Sequence, residues 1–523
     1  MLAQAESMRT LLDLVERNAK LHADTPYLVF GDRRPTYREF TERAKRLASA
    51  LHGGGLKVQD RIAFLAMNCP EILEVYGVGE VAPFIVTPVN FRLAPPEIQY
   101  ILKDSAPTVL FFEKQYEATI AGMREQLTSV RRYVCIGGAA PDWAEDYESV
   151  LAQGAPEGPG LEVRPEHLHA IMYTSGTTGR PKGAMITHAA YLALIADWAR
   201  ELEADAGNKI LLSMPFFHIG SRSQGGALTY VGGTMVILRA FEAQKIVETI
   251  PAERITQLHL APTLVQQVLD LPGQERHDFS SLKTLNYAAA PMPYTVLRRA
   301  LDRFGRIMIN GFGQTEGAGC VLKKFYHRPD GDARDLKRLT SVGQATTGTR
   351  VAILDEHDRE VAPGVIGEIC FRTPTAMSGY WNNSTASIET LRHGWLHTGD
   401  VGCMDDDGFV YLVDRKKDMI VSGGENVYSR EVEEALMAHP AVADAAVIGV
   451  PDEKWGEAVL GVVVTKPGQA VAAADLIKHC RGHIAGYKCP KRIEFVPQLP
   501  RLPSGKISKV TLREQFARPV AGA

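Results

Sequence analysis

Residues 173–183 read YTSGTTGRPKG and directly follow a short apolar run, His169–Met172, that is typical of a buried strand. Glycines let backbone N–H groups approach an anion, hydroxyl groups donate hydrogen bonds, and the ammonium group of Lys182 adds a positive charge. The segment differs from the nucleotide-binding pattern GxxxxGK[ST], because Pro181 precedes the lysine and Gly183 follows it. The pattern predicts a phosphate-binding loop at the end of a strand.

Upstream of this loop, short apolar runs alternate with helical segments. Thr36–Gly53 is predicted to be an amphipathic helix, with Thr36 and Glu39 as a capping box and Gly53 as a left-handed stop. Three apolar runs predict strands: Arg61–Ala66, Val81–Val89 and Thr108–Phe112. This alternation indicates a parallel sheet with helices on both faces, and it continues after the loop as far as Arg306–Asn310, where a glycine-rich turn is expected. The sequence therefore predicts two α/β lobes in tandem.

The pattern changes after about residue 340, where glycines separate short β-like runs such as Glu368–Phe371. This favours an antiparallel or barrel-like subdomain. Asp414–Asp418 is a charged junction without apolar residues, and an α+β pattern follows it. We therefore predict an N-terminal region over residues 1–413, a linker at 414–418 and a C-terminal α+β domain over residues 419–523.

Residues 174–183 resemble the phosphate loop of the adenylate-forming superfamily, which includes acyl- and aryl-CoA synthetases, peptide-synthetase adenylation domains and firefly-type luciferases. Further segments resemble motifs of that superfamily in the superfamily's order: Asn310–Glu316, Trp395–Asp400, Asp414–Asp418 and Pro503–Lys506. The resemblance implies an α/β fold with a large N-terminal region of two α/β lobes plus a β-rich subdomain. It also implies that a small, mobile α+β C-terminal domain turns about a hinge at Lys417.

The activity implied by this resemblance is attack of a carboxylic acid on the α-phosphate of ATP, followed by transfer of the acyl group to coenzyme A. ATP, Mg²⁺ and coenzyme A are the expected cofactors and co-substrates. The resemblance places Glu316 on Mg²⁺, Thr315 on a phosphate, and Lys506 on the carboxylate and α-phosphate. The implied nucleotide contacts are Thr174, Ser175, Gly176, Thr177, Thr178 and Lys182 for the phosphates, Ala289, Asn310, Phe312 and Gly313 around the base, and Asp400 and Arg415 for the ribose.

Two of these positions depart from the superfamily's usual residues. Phe312 stands where tyrosine is more common, so ring stacking is kept while a phenolic hydrogen bond is lost. Ala288-Ala289-Ala290 stands where many members have Gly-Gly-Ala. The small side chains still allow the backbone to approach the base or the acyl chain.

Candidate coenzyme A contacts lie in the last hundred residues. Gly424, within Ser422–Asn426, resembles the loop that lines the pantetheine tunnel of CoA synthetases. Lys488 and Lys491 are candidates for phosphate contacts, and an ordinary solvated face is an equal alternative. Residues 481–518 carry nine Lys/Arg against two acidic residues, which phosphate binding would explain without a nucleic acid.

The acid site is expected near His218, which aligns with the superfamily's gate between the ATP and acyl sites. Small residues follow it, over Ser221–Ala227, and their small volume favours a bulky apolar acid, either medium- to long-chain fatty or aromatic. Arg222 is expected to point outward, as most arginines do; pointing inward, it would bind a second carboxylate or polar substituent.

Composition excludes several other classes. The 523 residues are 45% hydrophobic and 23% charged, with a net charge of −3, so the chain is globular and has no general attraction for nucleic acid. Seven widely spaced cysteines indicate reduced thiols. The N-terminus lacks a signal-peptide pattern, and the uncharged run Ser223–Leu238 is short for a membrane span and predicts a helix-turn-strand. We expect a cytoplasmic enzyme without an integral membrane segment, and by analogy a homodimer.

Three alternatives remain open at this point. An amino-acid-activating enzyme would need an acidic residue for the substrate ammonium, and none lies in the segment that follows His218. A luciferase-like oxidation shares the first half-reaction. A non-catalytic nucleotide-binding homologue is disfavoured by the intact set of motif residues: Lys182, Glu316, Asp400, Arg415 and Lys506.

Overall fold

A computed structural model describes residues 8–174, 181–290, 292–415, 418–422, 425–452, 455–501 and 506–516. These residues form two compact units. The first contains residues 8–174, 181–351 and 371–397, and the second contains residues 352–370 and the described residues from 398 onward. The proposed hinge at 414–418 stays a prediction, and Lys416 and Lys417 lie outside the described residues.

The elements up to the phosphate loop hairpin are α1 Leu11–Leu21, β1 Leu28–Val29, α2 Tyr37–Gly53, β2 Arg61–Leu65, α3 Pro70–Val81, β3 Ile85–Pro88, α4 Pro95–Ser105, β4 Val109–Glu113, α5 Glu117–Ala121, β5 Arg132–Ile136, β6 Glu145–Asp146, α6 Tyr147–Ala152, β7 Leu168–Thr174 and β8 Lys182–Thr187.

The next elements are α7 His188–Glu201, β9 Lys209–Leu212, α8 Ile219–Val231, β10 Thr234–Ile237, α9 Ala243–Glu253, β11 Gln257–Leu260, α10 Pro262–Asp270, β12 Thr284–Ala288, α11 Tyr294–Phe304, β13 Met308–Gln314, β14 Gly317–Leu322, α12 Ala333–Arg338 and β15 Gln344–Ala345.

The remaining elements are β16 Arg350–Leu354, β17 Gly367–Arg372, α13 Ser384–Thr390, β18 Leu396–Met404, β19 Val410–Arg415, β20 Ile420–Ser422, β21 Glu425–Val427, α14 Ser429–Met437, β22 Val442–Asp452, β23 Gly456–Thr465, α15 Ala473–Arg481, β24 Arg492–Phe495 and α16 Lys509–Phe516.

The first unit contains two large sheets. One has seven strands in the order β6-β5-β4-β2-β3-β7-β8, parallel except for the last. The other has eight strands in the order β1-β10-β9-β11-β12-β13-β14-β15, parallel through β13 and antiparallel after it. The predicted pair of α/β lobes is therefore confirmed.

Helices cover both faces of both sheets, as the apolar strands require. In β2, Ile62 and Phe64 face a core shared with helices α1, α2, α3, α7 and α8, while Ala63 and Leu65 face a second core with α4 and α5. The eight-stranded sheet shares the first core and packs its other face on α9, α10 and α11. Successive side chains of a strand point to opposite faces, so a sheet buried on both sides needs continuous apolar runs.

Two details of the predicted elements are wrong. Helix α2 has the expected capping box, with Glu39 N donating to Thr36 Oγ1 at 3.2 Å, but the first left-handed residue beyond it is Gly55 rather than Gly53. The run Val81–Val89 is not one strand, because α3 extends to Val81 and β3 begins at Ile85. Helix α3 is buried on almost every side, and in such a helix periodicity cannot distinguish helix from strand.

The second unit contains two smaller sheets and a smaller core, and the strand pairs of its five-stranded sheet are antiparallel except for β23 with β24. A four-stranded sheet has the order β16-β17-β18-β19, and β20 to β24 form a five-stranded sheet that packs against α14 and α15. The strand-rich and α+β predictions are confirmed by this arrangement. Ser223–Leu238 forms the end of α8, a left-handed turn at Gly232 and strand β10, as expected. Among the helices that the structure describes, each is too short or too polar to cross a membrane.

Candidate active site

The phosphate loop connects two antiparallel strands at the edge of the seven-stranded sheet. Thr174, at the end of β7, lies directly opposite Lys182, at the start of β8. The strand predicted before the loop is confirmed, and the loop leads into a second strand. Ser175, Gly176, Thr177 and Thr178 lie outside the described residues.

Residues 378–382, which we call the clamp segment, form hydrogen bonds with strand β8 of this hairpin. Met185 N donates to Gly379 O at 2.9 Å, and Trp381 N donates to Gly183 O at 2.8 Å. The indole Nε1 of Trp381 donates to Asp104 O at 3.0 Å, and the Tyr173 hydroxyl donates to Asp104 Oδ2 at 2.6 Å. The ends of β7 and β8 are therefore tied to one another, to α4 and to the clamp segment.

Tyr380 connects the phosphate loop to the predicted metal ligand. The Lys182 Nζ lies 4.6 Å from the centroid of the Tyr380 ring, and the Tyr380 hydroxyl donates to Glu316 Oε1 at 2.6 Å. Burial and the Glu316 carboxylate both raise the pKa of Tyr380, so its hydroxyl stays protonated and acts as a donor. Tyr380 thus contacts both Lys182 and Glu316, although the three residues are far apart in the sequence.

Tyr380 was missed by the sequence reasoning. The sequence shows Gly379 followed by two aromatic residues, Tyr380 and Trp381. No neighbouring residue indicates that this segment lies beside β8. Gly379 has a φ of +140°, a conformation that side-chain-bearing residues rarely adopt. It allows the clamp segment to lie along β8.

Glu316 lies in a tight hairpin rather than in a long glycine-rich turn. Strand β13 continues to Gln314, which lies directly opposite Gly317 on β14, so Thr315 and Glu316 form a two-residue connection. The expectation that the strand ends at Asn310 is therefore wrong. A bulge between Phe312 and Gly313 accompanies this hairpin, and bulges are frequent next to active sites.

The Glu316 carboxylate has the chemistry that Mg²⁺ requires. It is buried, with 7% of its surface exposed, and the Tyr380 hydroxyl donates to its Oε1. Mg²⁺ is bound through one or two carboxylates together with substrate phosphates. The Glu316 carboxylate therefore has the donor chemistry of a magnesium ligand.

The residues expected around the adenine lie at the ends of neighbouring strands. Asn310 on β13 is directly opposite Tyr287 on β12, and the half-buried Phe312 ring packs edge-on to Phe371, 6.0 Å between centroids. Ala289 directly follows β12 with a φ of +74°. This left-handed conformation costs a non-glycine residue about 1–2 kcal/mol. A glycine, which many superfamily members have there, would avoid that cost.

Residues predicted to bind the ribose lie in the second unit. Asp400 on β18 is buried and lies directly opposite Arg415 on β19, so both positions occupy one face of the hairpin. Lys506 and Lys491 are exposed. The Lys491 Nζ lies 5.4 Å from the Trp455 ring centroid. Gly424 lies outside the described residues.

Much of the positive charge near the C-terminus is paired within the second unit. Lys488 contacts Glu431 at 2.7 Å and is committed to that ion pair. Further ion pairs join Arg492 to Glu494, Arg501 to Asp444, Lys509 to Glu433 and Arg513 to Asp418. The phosphate-binding explanation for the basic tail is therefore weakened.

Arg222 corrects an expectation about the acid site. It does not point outward: its side chain is 2% exposed and forms an ion pair with Glu80 of α3. Its guanidinium lies between the rings of Tyr76 and Tyr191, at 4.6 and 4.8 Å from their centroids. A buried arginine needs such a partner. Because the Arg222 guanidinium already pairs with Glu80, its charge is not available to a second carboxylate of the substrate.

His218 is the N-cap residue that directly precedes α8, and a side chain of α3 forms a hydrogen bond with the segment before it. The Tyr76 hydroxyl donates to Phe216 O at 2.8 Å, and Arg222 N donates to His218 O at 3.2 Å. His218 thus has a defined position at the carboxyl edge of the eight-stranded sheet. This is where ligands bind in open α/β sheets.

The small residues of α8 do not leave the volume expected of them. A Cβ built on Gly225 would lie 2.7 Å from the Met235 sulfur, and one on Gly226 would lie 2.5 Å from Ile195. These glycines allow α8 to pack closely on β10 and α7. The argument from their volume for a bulky acid is therefore wrong.

Comparison with known proteins gives the family of this chain. The model of the AMP-binding enzyme family matches residues 15–381, and that of the AMP-binding enzyme C-terminal domain matches residues 431–506. Feruloyl-CoA synthase of an Amycolatopsis species is 36% identical, with 96% of this chain and 98% of that protein covered. Fatty acid–[acyl-carrier-protein] ligase ScoC of Streptomyces coeruleorubidus is 33% identical, with 97% of each covered.

A solved structure gives the same result for the fold. Amide bond synthetase McbA from Marinactinospora thermotolerans has a TM-score of 0.86 and 29% identity, with 97% of this chain and 100% of that chain covered. The resemblance to the adenylate-forming superfamily is confirmed. The matches span most of the sequence, and the protein belongs to the AMP-binding enzyme family.

Proposed function

We propose that the protein is an ATP-dependent carboxylate–CoA ligase, which joins a carboxylic acid to coenzyme A through an acyl-adenylate. One observation carries this proposal: the Lys182 ammonium group and the Glu316 carboxylate both contact Tyr380, beside the phosphate-loop hairpin. A cation for phosphate oxygens and a hard ligand for a divalent ion are what a nucleoside triphosphate requires. Membership of the AMP-binding enzyme family supports the same chemistry.

In the first half-reaction, a carboxylate oxygen bonds to the α-phosphorus of ATP. The bond from that phosphorus to the oxygen bridging to the β-phosphate breaks, and pyrophosphate leaves with the electron pair. Lys182 and Thr315 are proposed to hold the phosphates, and Lys506 to offset the charge where carboxylate and α-phosphate meet. Glu316 would hold Mg²⁺, which supplies charge neutralisation at the departing pyrophosphate. The loop residues proposed to assist are Thr174, Ser175, Gly176, Thr177 and Thr178.

Separate sets of residues are proposed to contact the base and the ribose of the nucleotide. Contacts to the base are assigned to Ala289, Asn310, Phe312 and Gly313, and contacts to the ribose to Asp400 and Arg415. Two observations support these roles: the first set lies on β13 and directly after β12, which are neighbours in one sheet, and Asp400 and Arg415 are directly opposite in a hairpin. A carboxylate accepts hydrogen bonds from both ribose hydroxyls.

In the second half-reaction, the sulfur of coenzyme A bonds to the acyl carbon and loses its proton. The bond from that carbon to the phosphate oxygen breaks, and AMP leaves. Gly424 and Lys491 are proposed to contact coenzyme A, and His218 to separate the acid and nucleotide sites. Rotation of the C-terminal domain about Lys417 is proposed to change the enzyme between its two half-reactions.

The proposed acid is aromatic or a medium- to long-chain fatty acid. This range is supported by similarity to proteins named feruloyl-CoA synthase and fatty acid–[acyl-carrier-protein] ligase.

The test is ATP–pyrophosphate exchange with purified protein across a panel of aromatic, fatty and amino acids, with thioester formation measured after addition of coenzyme A. We expect exchange with aromatic or fatty acids, and a thioester only when coenzyme A is present. Lys506→Ala should reduce exchange at least 100-fold and leave thioester formation from supplied acyl-AMP. Lys478→Ala, at an exposed position of α15, is the matched control and should change neither rate.

Three results would contradict the proposal. Exchange with amino acids alone would indicate an amino-acid-activating enzyme. ATP binding without exchange for any acid would indicate a non-catalytic homologue. An equal loss of both half-reactions in Lys506→Ala would remove the assigned role of that lysine.

A further inference from the structure

Three buried polar side chains lie on helix α8 and on the paired strands β11 and β12. Gln224, His259 and Asn286 are each exposed by 2% or less. None of them belongs to the Glu80–Arg222 ion pair, and no ionised side chain is among the three. A buried polar cluster of this kind needs an explanation, because unpaired polar groups are rare inside proteins.

The sheet places two of these residues side by side. His259 on β11 and Asn286 on β12 are directly opposite in a parallel pair, so their side chains share one face. Leu258, Leu260 and Leu285, which alternate with them, point into the core on the other side of the sheet. The polar face is therefore the face towards α8.

Helix α8 brings the third residue to the same face. A Cβ built on Gly220 would lie 3.6 Å from His259 Nε2, so the first turn of α8 passes over this histidine. Gln224 follows Gly220 by four residues and therefore lies on the same side of the helix, one turn deeper. Because Gly220 has no side chain, no side chain at that position covers His259 Nε2.

Three of the side-chain polar atoms in this cluster are buried without a hydrogen-bond partner among the described residues. In the described part of the chain, neither Oδ1 nor Nδ2 of Asn286 has a hydrogen bond, and Gln224 Oε1 has none. Each such buried group costs about 1–3 kcal/mol of stability relative to a paired one. Thr284, earlier on β12, shows the contrast, because its hydroxyl donates to the carbonyl of Leu202 at 3.4 Å.

The protonation state of His259 defines what it offers. Burial lowers its pKa to about 4, so the ring is neutral near pH 7. Nδ1 lies 3.3 Å from Asn286 O, which can only accept, so Nδ1 carries the proton and Nε2 is left as an acceptor. The cluster therefore presents three acceptors, Gln224 Oε1, His259 Nε2 and Asn286 Oδ1, and one amide donor.

We propose that Gln224, His259 and Asn286 bind a neutral hydroxyl group carried by the acid substrate at the end remote from its carboxylate. This inference rests on the proposed function and narrows its substrate class. Adenylation takes place beyond the carboxyl ends of the strands, where ligands of such sheets bind. His259 and Asn286 lie one and two residues before those ends, deeper in the sheet, so they face the far end of a bound acid.

The chemistry of the cluster distinguishes between acids of similar size. A hydroxyl can donate to one acceptor and accept from the Asn286 amide. An unsubstituted ring or alkyl chain would leave all of these atoms unpaired. Sites built to hydrogen-bond a hydroxyl strongly disfavour the analogue that lacks it. A charged substituent is disfavoured because the cluster has no ion to pair with it.

The experiment compares matched acids by ATP–pyrophosphate exchange: benzoate with 4-hydroxybenzoate, 3-phenylpropanoate with its 4-hydroxyphenyl analogue, and octanoate with 8-hydroxyoctanoate. The measured quantity is the ratio of kcat/KM for the hydroxylated acid to that for its partner. We expect this ratio to exceed about 10 in at least one pair for the wild-type protein. Asn286→Leu, which is nearly isosteric, should lower that ratio at least 10-fold, and Gln224→Met should lower it several-fold.

Thr284→Val is the matched control, because it also removes a buried polar group from β12, but one that already has a protein partner. It should leave the ratio unchanged even if total activity falls. A wild-type ratio near 1 in every pair, or equal losses for both acids in Asn286→Leu, would overturn the inference while leaving the ligase proposal standing. Failure of every acid to support exchange would instead contradict the ligase proposal.

Discussion

Helix α8 carries two buried polar side chains, Arg222 and Gln224, whose hydrogen-bonding surroundings differ. Arg222 faces α3, where Glu80 pairs with it and two tyrosine rings enclose its guanidinium. Gln224, two residues later, faces β11 and β12, and its Oε1 has no partner in the described part of the chain. Both side chains are almost completely buried, so burial alone does not distinguish them.

The difference separates a structural role from a binding role. A polar group that is paired by the protein contributes to the fold, and its loss leaves another group unpaired. A polar group that is unpaired in the protein has a cost that only a ligand or solvent can offset. Substitutions on the two sides of α8 should therefore have opposite consequences for stability and specificity.

Arg222→Met should have the largest effect, because it leaves the Glu80 carboxylate buried without a counter-ion. Breaking a buried pair in this way costs about 3–5 kcal/mol. Urea and thermal denaturation should show a large fall in the unfolding midpoints. The double variant Glu80→Gln/Arg222→Met removes both charges and should recover part of the loss. A single variant that unfolds at the wild-type midpoint would contradict the structural role assigned to this side of the helix.

Tyr380→Phe tests a polar group that has a protein partner and also lies at the proposed nucleotide site, the Tyr380 hydroxyl. Loss of the hydrogen bond to Glu316, which is charge-assisted, is worth about 1.5–3 kcal/mol. We expect at least a 10-fold increase in the Mg²⁺ concentration needed to bind a fluorescent ATP analogue at equilibrium. Tyr380→Leu should weaken binding further, because the ring contact with Lys182 is also lost.

Tyr294→Phe is the control for that experiment, since Tyr294 is an exposed tyrosine at the start of α11. It should leave the Mg²⁺ dependence unchanged. If Tyr380→Phe binds the nucleotide with the wild-type Mg²⁺ dependence, the hydroxyl does not orient Glu316 for the ion.

Gln224→Met should have the smallest effect on stability. It removes an unpaired oxygen and keeps the side-chain length, so the free energy of unfolding should be unchanged or higher by up to about 1 kcal/mol. The same denaturation experiments measure it against Arg222→Met. A loss of more than about 2 kcal/mol would show that the amide is paired in the folded protein, and the contrast between the two sides of α8 would disappear.

The layers of the fold were predictable because their causes are local. The runs Arg61–Ala66 and Thr108–Phe112 are apolar without alternation, which is what strands buried on both faces require. The capping box at Thr36 and the loop at Tyr173–Gly183 are short patterns whose residues act together within a few positions. The local pattern of residue types is enough to recognise such features.

The site was less predictable because its contacts join distant positions. Arg222 forms an ion pair with Glu80, 142 residues away in the sequence, and Tyr380 donates a hydrogen bond to Glu316, 64 residues away. An arginine is usually exposed, and only the tertiary fold supplies the partner that overrides this tendency. The unpaired atoms of Gln224 and Asn286 are likewise properties of packing, which composition and spacing do not report.

The bulge between β18 and β19 has a consequence for chain length. Val401 pairs with Asp414, and the next pair is Gly402 with Leu412, so Val413 is an extra residue on one strand. Deleting it would leave Asp400 opposite Arg415, because Gly402 would still pair with Leu412 and Val401 with Asp414. What the deletion would remove is the extra local twist that a bulge gives to its strand. Loss of this one residue should therefore change the direction in which the end of the hairpin points, and not the pairing of Asp400 with Arg415.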